Sequence, residues 1–78
     1  MTEIEKLFGT VIRTHRERLG VSQEEFAGIA GVHRTYMSSI ERGKVQVSIA
    51  IAQKLAEALG TPLSRIFRDV ERKAADSE

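Results

Sequence analysis

The stretch Val21–Lys44 constrains the fold of this chain more than any other segment, because the end signals of two short helices follow one another there. Ser22 and Glu25 have the spacing of a capping box, in which the serine oxygen accepts from the third helical N–H and the glutamate side chain accepts from the serine N–H. This pattern predicts a helix that begins at Gln23. Gly31 supplies the left-handed residue that ends it.

A second short helix is predicted over residues 34–42, and Gly43 ends it in the same way. If the two helices cross, the apolar and small side chains must turn inward: Phe26, Ala27, Ala30, Val32, Met37 and Ile40. The side chains left outward on the second helix are polar: Arg34, Thr35, Tyr36, Ser38, Ser39 and Arg42. Such a face suits a helix placed in the major groove of DNA better than one that only faces water.

The rest of the chain is also predicted to be helical. Apolar residues at three- and four-residue spacing predict helices over residues 3–19 and 49–59, each followed by a glycine. A fifth helix is predicted with Thr61 as its cap and Pro62 at its first position, where the missing N–H costs nothing. From Glu71 onward no residue is more apolar than alanine, which predicts a frayed tail over residues 71–78.

The stretch from Val21 to Lys44 resembles the helix-turn-helix of phage-repressor and Cro-like proteins. The runs His33–Ser38 and Ile40–Gly43 are especially similar to the controller proteins of restriction-modification systems, and the resemblance extends over residues 4–70. It implies an all-α, five-helix bundle, a lambda-repressor-like DNA-binding domain over residues 1–70 whose last helix dimerises.

The function that the resemblance implies is sequence-specific transcriptional regulation. The chain would bind double-stranded DNA at a palindromic operator as a homodimer, and would regulate its own operon, which would include a restriction endonuclease. An antitoxin or a phage-type repressor is an alternative within DNA binding. An adaptor that kept the fold but uses its surface for protein contact is an alternative from another class.

Two residues at the start of the second short helix are the candidates for reading bases. Arg34 could bind guanine O6 and N7 with two hydrogen bonds, and Thr35 could offer its methyl group to thymine. For Arg34 the alternative is a phosphate clamp or a surface ion pair, and for Thr35 it is capping of the helix together with His33.

Phosphate contacts are predicted from Gln23 at the first turn of its helix, from the Tyr36 hydroxyl and from residues after the second helix. An ordinary exposed glutamine and a half-buried core tyrosine are the respective alternatives. Ser38 and Ser39 are weaker candidates. The full predicted set for DNA contact is Gln23, His33, Arg34, Thr35, Tyr36, Ser38, Ser39, Arg42, Lys44 and Gln46.

The resemblance also implies an internal ion pair between Arg16 and Glu41. It would join the first helix to the second short helix over residues 34–42, which is the recognition helix of the motif. The neighbouring Arg13 and Arg18 are interpreted as a solvated face. His15, at the rim of the apolar stripe, is interpreted as a partly buried packing residue, with a pH switch as the alternative.

A second copy of the chain is the predicted partner of the last helix. A domain of 78 residues has a small core, so the apolar face formed by Ile66, Phe67 and Val70 is expected to exceed what one chain can bury. Ile51 lies off the stripe of its own helix and is either incidental or part of the same interface.

Composition excludes several other classes of function. The chain has no cysteine and two isolated histidines, so no disulfide, metal site or cofactor is expected, nor a small-molecule ligand. A net charge of +1 is uninformative about nucleic acid. The first residues lack a secretory signal pattern and no apolar run reaches a membrane span, so a cytoplasmic protein without membrane contact is expected. His33 has no acid placed to orient it towards Ser38 or Ser39, so no enzymatic activity is expected.

Overall fold

The computed structural model describes residues 3–76 of the chain. Within that range it contains five α-helices and no strand: α1 (Glu3–Leu19), α2 (Gln23–Ala30), α3 (Arg34–Glu41), α4 (Ile49–Leu59) and α5 (Leu63–Asp76). The predicted all-α, five-helix architecture is therefore confirmed.

The helix-turn-helix corner forms as the local signals predict. The Glu25 N–H donates to the Ser22 hydroxyl at 3.0 Å, and the Ser22 N–H donates to the Glu25 carboxylate at 2.9 Å. Hydrogen bonding of the Glu25 carboxylate to the Ser22 N–H, and secondly to the Ser22 hydroxyl, lowers the pKa of Glu25. Gly31 has a φ of 75°, which lets the Val32 N–H donate to the Ala27 carbonyl oxygen at 3.0 Å and close the end of α2.

The bounds of α3 also follow from local hydrogen bonds. At its start the Thr35 N–H donates to Nδ1 of His33 at 3.1 Å, so the histidine is the N-cap. At its end Gly43 adopts a φ of 69°, and the Lys44 N–H donates to the Ser39 carbonyl oxygen at 2.9 Å. The helix is thus held at both ends by residues within its own stretch of sequence.

The last helix differs from the prediction at both ends. The Ile66 N–H donates to the Pro62 carbonyl oxygen, while the Thr61 hydroxyl donates back to Leu59 at 3.5 Å, so Thr61 is not the cap of α5. The helix also extends to Asp76, where a frayed tail from residue 71 was predicted. Residues 71–75 are Glu, Arg, Lys, Ala and Ala, which are all good helix formers, and this propensity outweighs their lack of large apolar side chains. Residues 77 and 78 lie outside the described range.

The helices enclose one hydrophobic core to which all five contribute. α1 is central: it packs against α3 on one side and α5 on another, and it also contacts α4, while α2 joins α3 to α4. The fully buried side chains of largest volume are Ile12, Phe26, Met37, Ile40, Leu55, Ile66 and Val70. None of the described helices has the length and hydropathy that crossing a bilayer requires.

Candidate nucleic-acid interface

Helix α3 presents a polar face to solvent because its three buried residues lie together on the opposite side. Met37, Ile40 and Glu41 are buried, whereas Arg34 and Thr35 are exposed. Ser38 and Ser39 are half-buried, and Arg42, just after the helix, is exposed. Of the outward set that the sequence pattern predicts, Arg34, Thr35 and Arg42 are therefore exposed, while the two serines and the tyrosine described below are half-buried.

The buried glutamate of α3 is held by α1. Arg16 donates from Nε and Nη2 to the two oxygens of Glu41, at 2.8 and 3.1 Å, and from Nη1 to the Val21 carbonyl oxygen at 2.9 Å. The Arg16 side chain is 12% exposed and that of Glu41 is 3% exposed. The hydrogen bond to Glu41 raises the pKa of Arg16 against the opposing effect of burial. The pair that the resemblance implies thus links α1, the start of α2 and the end of α3.

Gln23 takes part in this cluster. Its amide nitrogen donates to the Glu41 carboxylate at 3.1 Å, and the side chain is half-buried. The sequence interpretation placed this amide against a DNA phosphate or in open solvent, and it did not include an internal bond. The backbone N–H at the first turn of α2 remains the part of Gln23 that is suited to a phosphate.

Two other predicted contacts have structural roles. His33 is exposed, but its Nδ1 accepts the Thr35 N–H, so only the other ring nitrogen can meet DNA. Tyr36 is half-buried and packs against the core cluster, which matches the core alternative for its ring.

Cationic and amide side chains follow α3 in the loop to α4. Arg42 donates from Nε to the Ser38 carbonyl oxygen at 3.4 Å, and Lys44 and Gln46 are exposed. The cations Arg34, Arg42 and Lys44 have no exposed acid among residues 33–46, because the single acid there is the internally paired Glu41. The exposed charges of this segment are therefore all positive, although the chain as a whole is nearly neutral.

A separate apolar groove of about 320 Å³ lies between α1, α4 and α5 and is lined by Ile4, Glu5, Phe8, Gln46, Val47, Ala52 and Phe67. Ile4 is 54% exposed and Phe67 is 40% exposed, while the rings of Phe8 and Phe67 lie 5.8 Å apart at an angle of 33°. Gln46 therefore lies beside this apolar surface.

The expected interface residues are only partly available at the surface. Ile66 is 0% exposed and Val70 is 2% exposed, so both are core residues of a single chain and the prediction that they contact a second copy is corrected. The reason is that α5 lies across α1 and α4 and turns these residues towards the interior. Phe67 remains partly exposed, and Ile51 is half-buried against the core.

The sequence interpretation missed two contacts of α1. His15 lies 2.8 Å from the Asp69 carboxylate through Nε2, and Gly9 lies directly against the backbone of α3. Neither has a local sequence signal, because each depends on which helix lies beside α1. Among residues 3–76, no three His, Cys, Asp or Glu side chains are grouped so that they could hold a metal ion.

Comparison with known proteins places this geometry in a family. The family model described as helix-turn-helix matches residues 12–66. The control protein C.MunI from Mycoplasma sp is 40% identical over 74 residues, covering 94% of this chain and 100% of that protein. The control protein C.BamHI from Bacillus amyloliquefaciens is 43% identical over 58 residues, covering 73% of this chain and 72% of that one.

A solved structure gives the same result. The restriction-modification controller protein C.AhdI from Aeromonas hydrophila superposes with a TM-score of 0.76 at 36% identity, covering 78% of this chain and 92% of that chain. The similarity to this structure covers less of the chain than the similarity to C.MunI does, yet the two comparisons point to the same group of proteins.

Proposed function

The chain belongs to the helix-turn-helix family of DNA-binding transcriptional regulators, and on that premise we propose that it is the control protein of a restriction-modification system. Support comes from the names of its relatives: two are control proteins and a third is a restriction-modification controller protein. We expect it to act in the cytoplasm, without catalysis, on the promoter of its own operon.

The observation that carries the proposal is the internal pairing of Glu41. Glu41 is the single acid of residues 33–46, and its burial against Arg16 keeps this negative charge away from the exposed surface of the segment. The remaining cations, Arg34, Arg42 and Lys44, are exposed and can neutralise phosphates.

Within this proposal the exposed side chains divide into two kinds. Arg34 and Thr35, at the start of α3, read base edges, with Ser38 and Ser39 on the same face. Phosphates are contacted by Arg42 and Lys44, and by the N-terminal backbone of α2 at Gln23. His33 and Tyr36 support the helix and reach DNA only through their free polar atoms. Gln46 is less suited to contact DNA, because it lines the apolar groove.

We further propose that the chain binds as a homodimer that joins at the apolar groove, through Phe67 and Ile4. The two residues expose apolar surface on the same side of the molecule, where a small core has no more side chains to cover it. A two-fold dimer presents two copies of α3, so its operator is palindromic, with half-site centres about one helical turn, or 10 base pairs, apart.

Selection of binding sites from a random pool of duplex DNA tests the proposal. We expect an enriched symmetric sequence that is retained at physiological salt, and occurrence of that sequence upstream of the gene itself. An adaptor on this fold would enrich no sequence, and a regulator of other genes would enrich a sequence that is absent from its own promoter.

A further inference from the structure

Helices α1 and α5 form a second charged surface that the proposed function does not use. A groove of about 270 Å³ runs between them, with four cationic side chains among its lining residues: Arg18, Arg65, Arg72 and Lys73. Val11 and the half-buried Thr14 of α1 also line the groove, although Val11 is a core residue and only 5% exposed. We call this surface the cationic groove.

The acids of the groove offset only part of its positive charge. Asp69 bonds through Oδ2 to His15 at 2.8 Å, while its Oδ1 lies 3.6 Å from Nε of Arg65 and 3.9 Å from Nη1 of Arg72. One carboxylate is thus shared between three partners. Asp76 is the other acid of the lining, so four cations face two carboxylates. The Arg65 and Arg72 side chains are 53% and 64% exposed, which leaves them able to turn towards a ligand.

The cationic groove faces away from the recognition helix. Gly9 lies against α3, and Arg16 points towards it and bonds to Glu41. Since an α-helix turns by about 100° per residue, Arg18 lies roughly half a turn around α1 from Gly9. DNA bound by α3 would therefore leave the groove open, and a different partner can occupy it at the same time.

We propose that the cationic groove binds an acidic segment of a partner protein. Two exposed arginines beside a short groove can grip carboxylates with paired hydrogen bonds, which is the geometry that guanidinium groups favour. A nucleic-acid backbone is less suited, because the groove lies about half a turn around α1 from the residues that contact α3. The protein would thus hold DNA on one side and an acidic protein segment on the other.

The test is a binding titration with the full chain. The probes are a fluorescently labelled peptide rich in Glu and Asp and the same peptide with Gln and Asn in their place. We expect saturable binding of the acidic peptide only, weakened by added salt. Arg18→Glu and Arg72→Glu should each weaken it by about tenfold, since each charge reversal replaces an attraction with a repulsion. Lys54→Glu, which makes the same change of net charge on an exposed residue of α4, should leave it intact.

Affinity for duplex DNA is measured on the same variants. Unchanged DNA affinity in Arg18→Glu and Arg72→Glu, together with loss of the peptide, supports the proposal and is independent of the site read by α3. The proposal is overturned if the acidic peptide shows no saturable binding, if the amide peptide binds equally, or if Lys54→Glu is as damaging as the groove variants. Parallel loss of DNA affinity in the groove variants would instead identify the groove as a DNA surface.

Discussion

Gly9 of α1 lies so close to Ile40 of α3 that the contact between the two helices leaves no space for a side chain at position 9. A Cβ at Gly9 would contact the Ile40 carbonyl oxygen and would lie 2.7 Å from the Glu41 carbonyl oxygen. Both neighbours are backbone atoms, which cannot move aside as the end of a flexible side chain can. The contact brings the recognition helix onto α1 and sets the distance at which Arg16 can reach Glu41.

Gly9→Ala should destabilise the protein by about 3 kcal/mol, because overpacking against fixed backbone outweighs the better helix propensity of alanine. The control is Gly28→Ala in α2, where an added Cβ meets nothing within 4 Å. That change should stabilise by about 0.5 to 1 kcal/mol. Urea unfolding of both variants measures the difference, and equal effects of the two changes would show that the α1–α3 contact can relax.

Removing the Arg16 side chain should lower the free energy of unfolding by about 3 kcal/mol, since Glu41 would be left as a buried charge without its main partner. Arg16→Met, Glu41→Met and the double variant form a cycle. The double change should cost less than the sum of the single changes, because no unpaired charge remains. Denaturant unfolding measures the three free energies, and additive losses would mean that the pair is not coupled.

Stability should fall in acid partly through Asp69. The hydrogen bond from His15, and then the charges of Arg65, His15 and Arg72, lower the pKa of Asp69 below its ordinary 3.8. A carboxylate whose pKa is lower in the folded state contributes stability that is fully present above about pH 4 and is lost as the pH falls through the folded-state value. Asp69→Asn should therefore lower stability at neutral pH and flatten this part of the acid limb.

Asp76→Asn is the matched control for that measurement, since Asp76 is an exposed carboxylate on the same helix. Unfolding free energies are compared from neutral pH into acid. An acid limb that is equally steep in wild type and Asp69→Asn would contradict the assignment.

Phe67→Asp should shift the proposed dimer towards monomer, because it places a charge in the apolar surface that a second copy would cover. Sedimentation over a range of concentrations measures the shift. Circular dichroism must accompany it, since the Phe67 ring also contacts Phe8. Ile29→Asp is the control, as Ile29 is 60% exposed on α2 and does not line the groove. A wild-type chain that stays monomeric at high micromolar concentration would remove the dimer from the proposed function.

Arg34→Ala and Lys44→Ala should weaken DNA binding in different ways. Loss of Arg34 should cost about 1 to 3 kcal/mol on the selected operator and relax preference at one base pair of each half-site. Loss of Lys44 should weaken operator and random DNA alike and reduce the slope of log affinity against log salt by about one per subunit. Titrations at several salt concentrations separate the two, and unchanged base preference in Arg34→Ala would show that Arg34 does not read a base.

The bounds of the helix-turn-helix were predictable from the sequence because its end signals act over a few residues. The reciprocal bonds of Ser22 and Glu25 span three positions, and the bonds that Gly31 and Gly43 permit span five. Such contacts need no residue from elsewhere in the chain, although the short helices themselves are stabilised by packing against the core. The same applies to the exposed residues Arg34 and Thr35 of α3, since helical periodicity alone separates them from Met37 and Ile40.

Tertiary packing decided which partner covers the apolar face of each helix. Helical periodicity identifies such a face but does not say what lies against it. An apolar stripe on α5 is equally consistent with a core or an interface, and only the position of α5 across α1 and α4 makes Ile66 and Val70 core residues while Phe67 stays partly exposed. The bond between His15 and Asp69 joins residues 54 positions apart, and the Gln23 amide meets Glu41 across the corner of two helices. These contacts depend on the relative placement of whole helices, which is set by the packing of the entire core and not by the residues that make them.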